Sequence, residues 1–198
     1  YLHDMTPART PVLQEMERYA RKHHFPIIGP LVGRLLYQLA LSIKAKNILE
    51  LGSGYGYSAI WFAMAIGPKG KIIMTDGDKQ NKERALEYIT TSGLRTSFDF
   101  RVGDALRIAQ KLPGPYDIIL NDIDKHDYPR TIDLAATRLR KGGLFITDNL
   151  IWSGRVADRD QDHTTRRIVE FTEQLYADKR FFTTVLPIRD GVGVALRI

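Results

Sequence analysis

The chain contains no cysteine among its 198 residues. Disulfides and thiolate metal sites are thereby excluded, and a reducing cytoplasm is the expected setting. No apolar run approaches the ~20 residues that a membrane-spanning helix needs. No secretory signal is visible at the start, no repeat or low-complexity segment interrupts the chain, and no linker divides it. The formal net charge is +6, yet Arg138, Arg140, Lys141, Arg155, Arg166 and Arg167 are scattered, with no aromatic-interleaved basic run. Nucleic acid is therefore a possible partner and not the favoured one.

A hydrophobic fraction of 43% and a charged fraction of 26% describe one globular domain with a substantial core. Helical patterning covers Pro7–His23 and Leu31–Ile43, broken by Pro26 and Pro30. Short apolar runs then alternate with amphipathic stretches. The strands expected are Asn47–Leu51, Lys71–Thr75, Ser97–Val102, Tyr116–Leu120 and Gly143–Thr147. Helices are expected over Ser58–Ala65, Gln80–Thr90, Ala105–Leu112, Pro129–Leu139 and Thr164–Ala177. Thr183–Ile188 and Val192–Ile198 read as a hairpin joined by Arg189-Asp190-Gly191. The expected fold is α/β: a mostly parallel seven-stranded sheet with a C-terminal antiparallel hairpin and helices on both faces.

The densest signal is Glu50-Leu-Gly-Ser-Gly-Tyr-Gly-Tyr-Ser58. Gly52, Gly54 and Gly56 follow an apolar strand and precede a helix, so the backbone can turn sharply and approach a ligand. The helix start beyond them offers unpaired N–H groups to an anionic ligand group. No Gly-Lys-Ser/Thr follows, which excludes a Walker loop, and the spacing departs from the dinucleotide fingerprint. Glu50 would repel a pyrophosphate. It suits a cationic ligand, such as the amino group and sulfonium of S-adenosylmethionine.

Ligands of open α/β sheets bind beyond the carboxyl ends of the strands. Asp76, twenty positions after Gly56, is placed to accept hydrogen bonds from ribose hydroxyls, while Asp78 suits a helix cap. Asp104 and Ala105 follow the third strand, where a short polar residue can meet the adenine edge or cap the next helix. Asp122 follows the fourth strand, and Asp148-Asn149 the fifth. Two carboxylates and an amide carbonyl at one rim are hard oxygen ligands suited to Mg²⁺ or Ca²⁺. Tyr128 and Trp152 either line an aromatic acceptor pocket or pack in the interior. His23-His24, His126 and His163 lack a convincing metal partner.

These stretches together resemble the metal-dependent catechol and caffeoyl-CoA O-methyltransferase family, in its small bacterial branch. The carrying residues are Glu50–Ser58, Asp122-Ile-Asp-Lys125 with Tyr128, Asp148-Asn149 running into Trp152–Val156, and Leu186–Gly191. The resemblance spans about Pro30 to the end. It implies a Rossmann-like class I methyltransferase domain over 1–198, with N-terminal helices (about 7–43) as a cap and dimer element. It implies S-adenosylmethionine and Mg²⁺, with Ca²⁺ or Mn²⁺ as substitutes. Asp122, Asp148 and Asn149 correspond to the metal ligands, and Lys125 to the general base. Ile28, Glu50, Gly52, Ser58, Asp76, Asp104, Ala105 and Asp122 fall at the cofactor. The implied acceptor is a small aromatic diol methylated on one hydroxyl, and the implied assembly a homodimer. A tRNA methyltransferase acting on a hydroxylated base, a non-catalytic cofactor binder and a dinucleotide oxidoreductase are the alternatives.

Overall fold

A computed structural model describes Tyr1 and residues 5–198. In chain order the elements are α1 (Pro11–His23), α2 (Gly29–Ser42), β1 (Asn47–Leu51), α3 (Tyr57–Ile66), β2 (Lys71–Asp76), α4 (Lys79–Ser92), β3 (Ser97–Val102) and α5 (Ala105–Gln110). There follow β4 (Tyr116–Asn121), α6 (Thr131–Arg138), β5 (Leu139–Thr147), α7 (His163–Ala177), β6 (Phe181–Leu186) and β7 (Val192–Arg197). Two short 3₁₀ helices, Lys125–Arg130 and Trp152–Ala157, sit after β4 and β5.

The seven strands form one sheet in the order β3-β2-β1-β4-β5-β7-β6. β1 to β5 pair in parallel, and β7 runs antiparallel to both β5 and β6. Successive strand residues point to opposite faces. Ile48, Ile72, Ile118 and Ile146 therefore join the core beneath α2 and α3, while Leu49, Ile73, Ile119 and Phe145 join the core beneath α6 and α7. Strands buried on both faces explain why the sequence shows continuous apolar runs there. The strand order reverses between β1 and β4, which opens a crevice at their carboxyl ends.

Several boundaries move from the sequence expectation. Pro11 opens α1, because proline fits the first helical turn where its missing N–H is no loss, and Pro7–Thr10 stay irregular. Gly29-Pro30 open α2 for the same reason, ahead of Leu31. β5 begins at Leu139, four residues before Gly143, and its pairing with β4 shifts register at Tyr116/Ile118. Pro129 lies inside the 3₁₀ helix Lys125–Arg130 instead of starting an α-helix, so α6 is shorter than Pro129–Leu139. β6 starts at Phe181 and ends at Leu186, which widens the hairpin loop to Pro187–Gly191.

The N-terminal helices dock onto the glycine turn. Tyr55 donates its hydroxyl to the Met16 carbonyl at 2.9 Å, and Tyr57 donates to Glu17 at 2.8 Å. Glu17 is itself buried and paired with Arg9 at 2.6 Å. Tyr55 is nearly fully buried, with Phe25 packed edge-on at 4.8 Å. Residues 25–28, between α1 and α2, are thereby held over the turn as a cap.

Candidate active site

The turn after β1 is built by close approach. A Cβ on Gly52 would lie 2.3 Å from the Asp122 carbonyl oxygen, and Gly52 has a φ of +82°. Only glycine suits that conformation and that clearance. Asp122 in turn donates its backbone N–H to the Leu51 carbonyl at 2.8 Å, tying the ends of β1 and β4 together. Asp76 holds the same turn from β2. Its Oδ2 accepts from the Gly54 N–H at 3.0 Å, and its Oδ1 accepts from the Asp78 N–H and from Asn81 Nδ2. A carboxylate has about four lone-pair sites, so this one retains capacity for a ligand hydroxyl. Asp78 caps α4 by accepting from the Gln80 N–H at 2.7 Å, as expected.

Three connected spaces lie over these strand ends. The central cavity, of about 390 Å³, is lined by Gly52, Gly54, Asp76, Asp122, Lys125, Asp148, Asn149, Trp152, Arg189 and the cap residues Phe25 to Ile27. A second lobe of about 340 Å³ shares Gly52, Asp76 and Asp122 with it and adds Gly103, Asp104, Ala105, Ile123 and Asp124. A narrow slot lies between Ile28 of the cap and Gly52, Ser53, Gly54 and Ser58. The sequence-derived residues Ile28, Gly52, Ser58, Asp76, Asp104, Ala105, Asp122, Lys125, Asp148 and Asn149 thus all line one continuous cleft. Asp104 also caps α5, accepting from the Arg107 N–H at 2.7 Å. A larger cavity, about 560 Å³ between α2 and α3, has no acidic residue and no glycine turn on its walls.

Glu50 does not line the cleft. It is fully buried beneath the turn, and neither of its oxygens has a hydrogen-bond partner. Burial pushes its carboxyl up to about 7, with nearby Ser58 and Ser53 opposing and Asp122 adding to the shift. An uncompensated acid in that position favours a positive charge in the slot above it.

The far rim gathers the remaining groups. Lys125 Nζ lies 3.2 Å from Asp122 Oδ1 and 3.4 Å from the Ile123 carbonyl, and only 12% of its side chain is exposed. Its ammonium faces the rings of Tyr128 at 4.8 Å and Trp152 at 5.9 Å. Tyr128 is fully buried against Phe171 and donates its hydroxyl to the Asp148 carbonyl at 3.0 Å. Its role is packing, whereas Trp152 lines the cavity. Asp148 is buried with Oδ1 unpartnered, and its Oδ2 lies 3.6 Å from Arg189 Nη1. Burial, reinforced by the Asp122 charge, pushes the Asp148 carboxyl up to about 6, against Arg189. Asp122 is raised too, because burial outweighs the Lys125 ammonium.

Asn149 takes a left-handed φ of 64°, which asparagine tolerates better than most residues. Its Nδ2 donates to Asp190 Oδ2 at 3.2 Å, which leaves the amide oxygen uncommitted. Among the described residues, no group of three His, Asp or Glu side chains is arranged to hold a metal ion. The fit of a cation therefore rests on two raised carboxyls, an orphaned Asp148 oxygen and the free Asn149 carbonyl. Those groups are hard oxygens, and together they suit a divalent cation.

Arg189 and Asp190 were not assigned roles from the sequence. The hairpin loop brings both to the rim beside Asp148 and Asn149, which follow β5, and the Arg-Asp-Gly turn carries no periodicity that would mark them. His126 and His163 stack on one another at 5.5 Å, outside the cleft, and His23 stacks on Tyr19.

A mostly parallel sheet with an antiparallel β7, a glycine turn at the switch point and a slot over a buried acid define a class I, S-adenosylmethionine-dependent methyltransferase. The O-methyltransferase family profile matches residues 4–198, and the chain belongs to that family. It is 32% identical to the caffeoyl-CoA O-methyltransferase of Petroselinum crispum, over 97% of this chain and 86% of that one. The O-methyltransferase TomG from Streptomyces achromogenes, in complex with S-adenosylmethionine, superposes with a TM-score of 0.90 at 27% identity, covering 100% of this chain and 94% of that one. An O-methyltransferase from Bacillus cereus in complex with S-adenosylhomocysteine gives a TM-score of 0.90 at 27% identity, covering 100% and 96%. No helix among the described residues is long and apolar enough to cross a membrane.

Proposed function

We propose that this S-adenosylmethionine-dependent O-methyltransferase requires a divalent cation and methylates one of two adjacent hydroxyls on a small aromatic ring. The observation that carries this reading is the convergence of Asp122, Lys125, Asp148 and Asn149 on one cavity beside the glycine turn. The caffeoyl group in the relatives' names has two adjacent ring hydroxyls, which supports the acceptor class.

Asp122, Asp148 and the Asn149 carbonyl would hold the cation, with Mg²⁺ as the first choice and Mn²⁺ or Ca²⁺ as substitutes. When bound, it supplies the positive charge that orients the diol and favours its phenolate. Lys125 accepts the hydroxyl proton at Nζ. It can do so only as the neutral amine, whose lone pair takes the proton while an N–H can still donate to Asp122. The acceptor oxygen displaces the sulfonium methyl in line, and the S–C electron pair remains on sulfur. Ile28, Gly52 and Ser58 would surround the methionine part, Asp76 would accept from the ribose, and Asp104 with Ala105 would meet the adenine. Trp152 and the Phe25–Ile27 cap wall the acceptor space and exclude water from it.

The test is S-adenosylhomocysteine formation over a panel of catechols and bulk tRNA, with Mg²⁺, Mn²⁺, Ca²⁺ or EDTA. Metal-stimulated turnover of catechols is expected. Turnover indifferent to EDTA removes the cation, and turnover of tRNA alone replaces the acceptor.

A further inference from the structure

A cavity of about 430 Å³ adjoins the central one on the side of the cap. Phe25, Pro26, Ile27 and Arg189 are common to both. The outer cavity is basic: Arg9, Arg21, His24 and Arg189 lie on its walls, with Glu17 as the acidic residue. Arg9 is already paired with Glu17, whereas Arg21 forms no ion pair among the described residues. Arg189 stands at the junction. It reaches Asp148 at 3.6 Å on one side and opens onto the outer cavity on the other. Its side chain is partly exposed, at 42%.

The backbone at Arg189 supports a role for the side chain. Its φ is +55°, in the left-handed region where glycine is the default residue of a turn. An arginine there strains the loop, and strained non-glycine residues cluster at ligand sites. The stem also crosses Gly29, whose Cβ would lie 3.7 Å from Arg189 Nε. Gly29, at the start of α2, thus packs in ordinary contact range of the Arg189 stem and places it against the cap side of the cleft.

We infer that the acceptor carries a carboxylate on a short chain opposite its diol, and that Arg189 is the residue that selects it. This rests on the diol reading given above. The ring would occupy the central cavity with its hydroxyls toward Asp122 and Asp148. The chain would pass the Phe25–Ile27 wall, and the carboxylate would meet the guanidinium as a charge-assisted, forked pair. Arg21 would raise the local positive potential. A monoanion balances this wall better than a doubly charged phosphate, because Asp148 and Glu17 already offset part of the charge.

The experiment compares homoprotocatechuate, its neutral methyl ester and dopamine as acceptors, with saturating S-adenosylmethionine and Mg²⁺. These share one ring and differ in the charge of a short tail. The wild-type kcat/KM should favour the acid over the ester by about 10-fold or more, mainly through KM, with dopamine poorest. Arg189→Gly should collapse the acid-to-ester ratio toward unity. Glycine suits the left-handed turn, so this variant should fold at least as well as the wild type, as read by its Tm. Arg21→Gln should reduce the ratio by a smaller factor. Equal use of acid and ester by the wild type, or an unchanged ratio in Arg189→Gly, overturns the inference alone. No methylation of any of the three overturns both it and the diol reading.

Discussion

Arg189 Nη1 stands 3.6 Å from Asp148 Oδ2, while the other Asp148 oxygen is buried without a partner. A guanidinium at that distance offsets only part of the carboxylate's lost hydration. The Asp148 carboxyl is accordingly held at about 6, above the ordinary 3.8. Asp148 is therefore an under-compensated buried acid, and positive charge at this rim would stabilise its charged form.

Asp148→Asn keeps the shape and removes the charge. A folded-state value raised above the unfolded one means that this acid costs stability as pH rises from near 4 to about 6, and continues to do so above that. A rise of that size corresponds to roughly 3 kcal/mol as an upper bound. Without divalent ions at pH above about 7, the variant should melt several degrees higher, at ~2–4 °C per kcal/mol for a chain of this size. Turnover with Mg²⁺ should fall at least about 100-fold. Thermal melts and metal titrations read both effects. A variant that melts lower and still responds to Mg²⁺ would contradict the account.

Glu50 makes a pH prediction. Its folded value near 7 lies above the ordinary 4.5, so it too lowers stability as pH rises through that window. A cationic ligand above it favours the charged form, so binding expels the proton. Affinity for S-adenosylmethionine should weaken as pH falls below about 7, by up to 10-fold per unit. Glu50→Gln should bind more weakly and with a flat pH profile. Calorimetry in buffers of different ionisation enthalpy measures the proton release directly, and no release near pH 6 would remove the role assigned to Glu50.

Lys125→Met preserves the aliphatic stem between Tyr128 and Trp152 and deletes the nitrogen. S-adenosylmethionine affinity should change less than about 3-fold. Turnover should fall by 10²–10⁴, the usual contribution of a positioned base. Quench-flow measurement of the methyl-transfer step separates this from slow product release. A variant that transfers methyl at the wild-type rate would dismiss Lys125 as the base.

Much of this cleft was legible in the chain before its fold was known. Gly52–Ser58, Asp76, Asp104 and Asp148-Asn149 could be placed because each lies at or just beyond the carboxyl end of a strand, and parallel strands deliver those ends to one edge. Strand identities held for the same reason, since the runs are short, apolar and rich in β-branched residues. Helix starts near Pro11 and Pro30 slipped because proline both breaks the preceding segment and fits the first turn of the next. Two features were out of reach. The burial of Glu50 below the turn depends on its face of β1, which only the sheet packing decides. Arg189 depends on how a five-residue loop folds back over β5, and loop paths carry no periodicity to read.

Gly52→Ala tests the close approach on which the cleft depends. An added Cβ would sit 2.3 Å from a backbone carbonyl of the Asp122 junction, where no side chain can move aside. Alanine at a φ of +82° adds a backbone penalty of about 1–2 kcal/mol, and the overlap adds about 1–3 kcal/mol. The strands must separate, which moves Asp122 away from the glycine turn with which it lines the cleft. The variant should melt lower by several degrees and lose S-adenosylmethionine binding. Differential scanning calorimetry with and without S-adenosylhomocysteine reads both: the wild-type melting point should rise with ligand and the variant's should not. A ligand-induced rise of equal size in both proteins would show that the turn does not hold the cofactor.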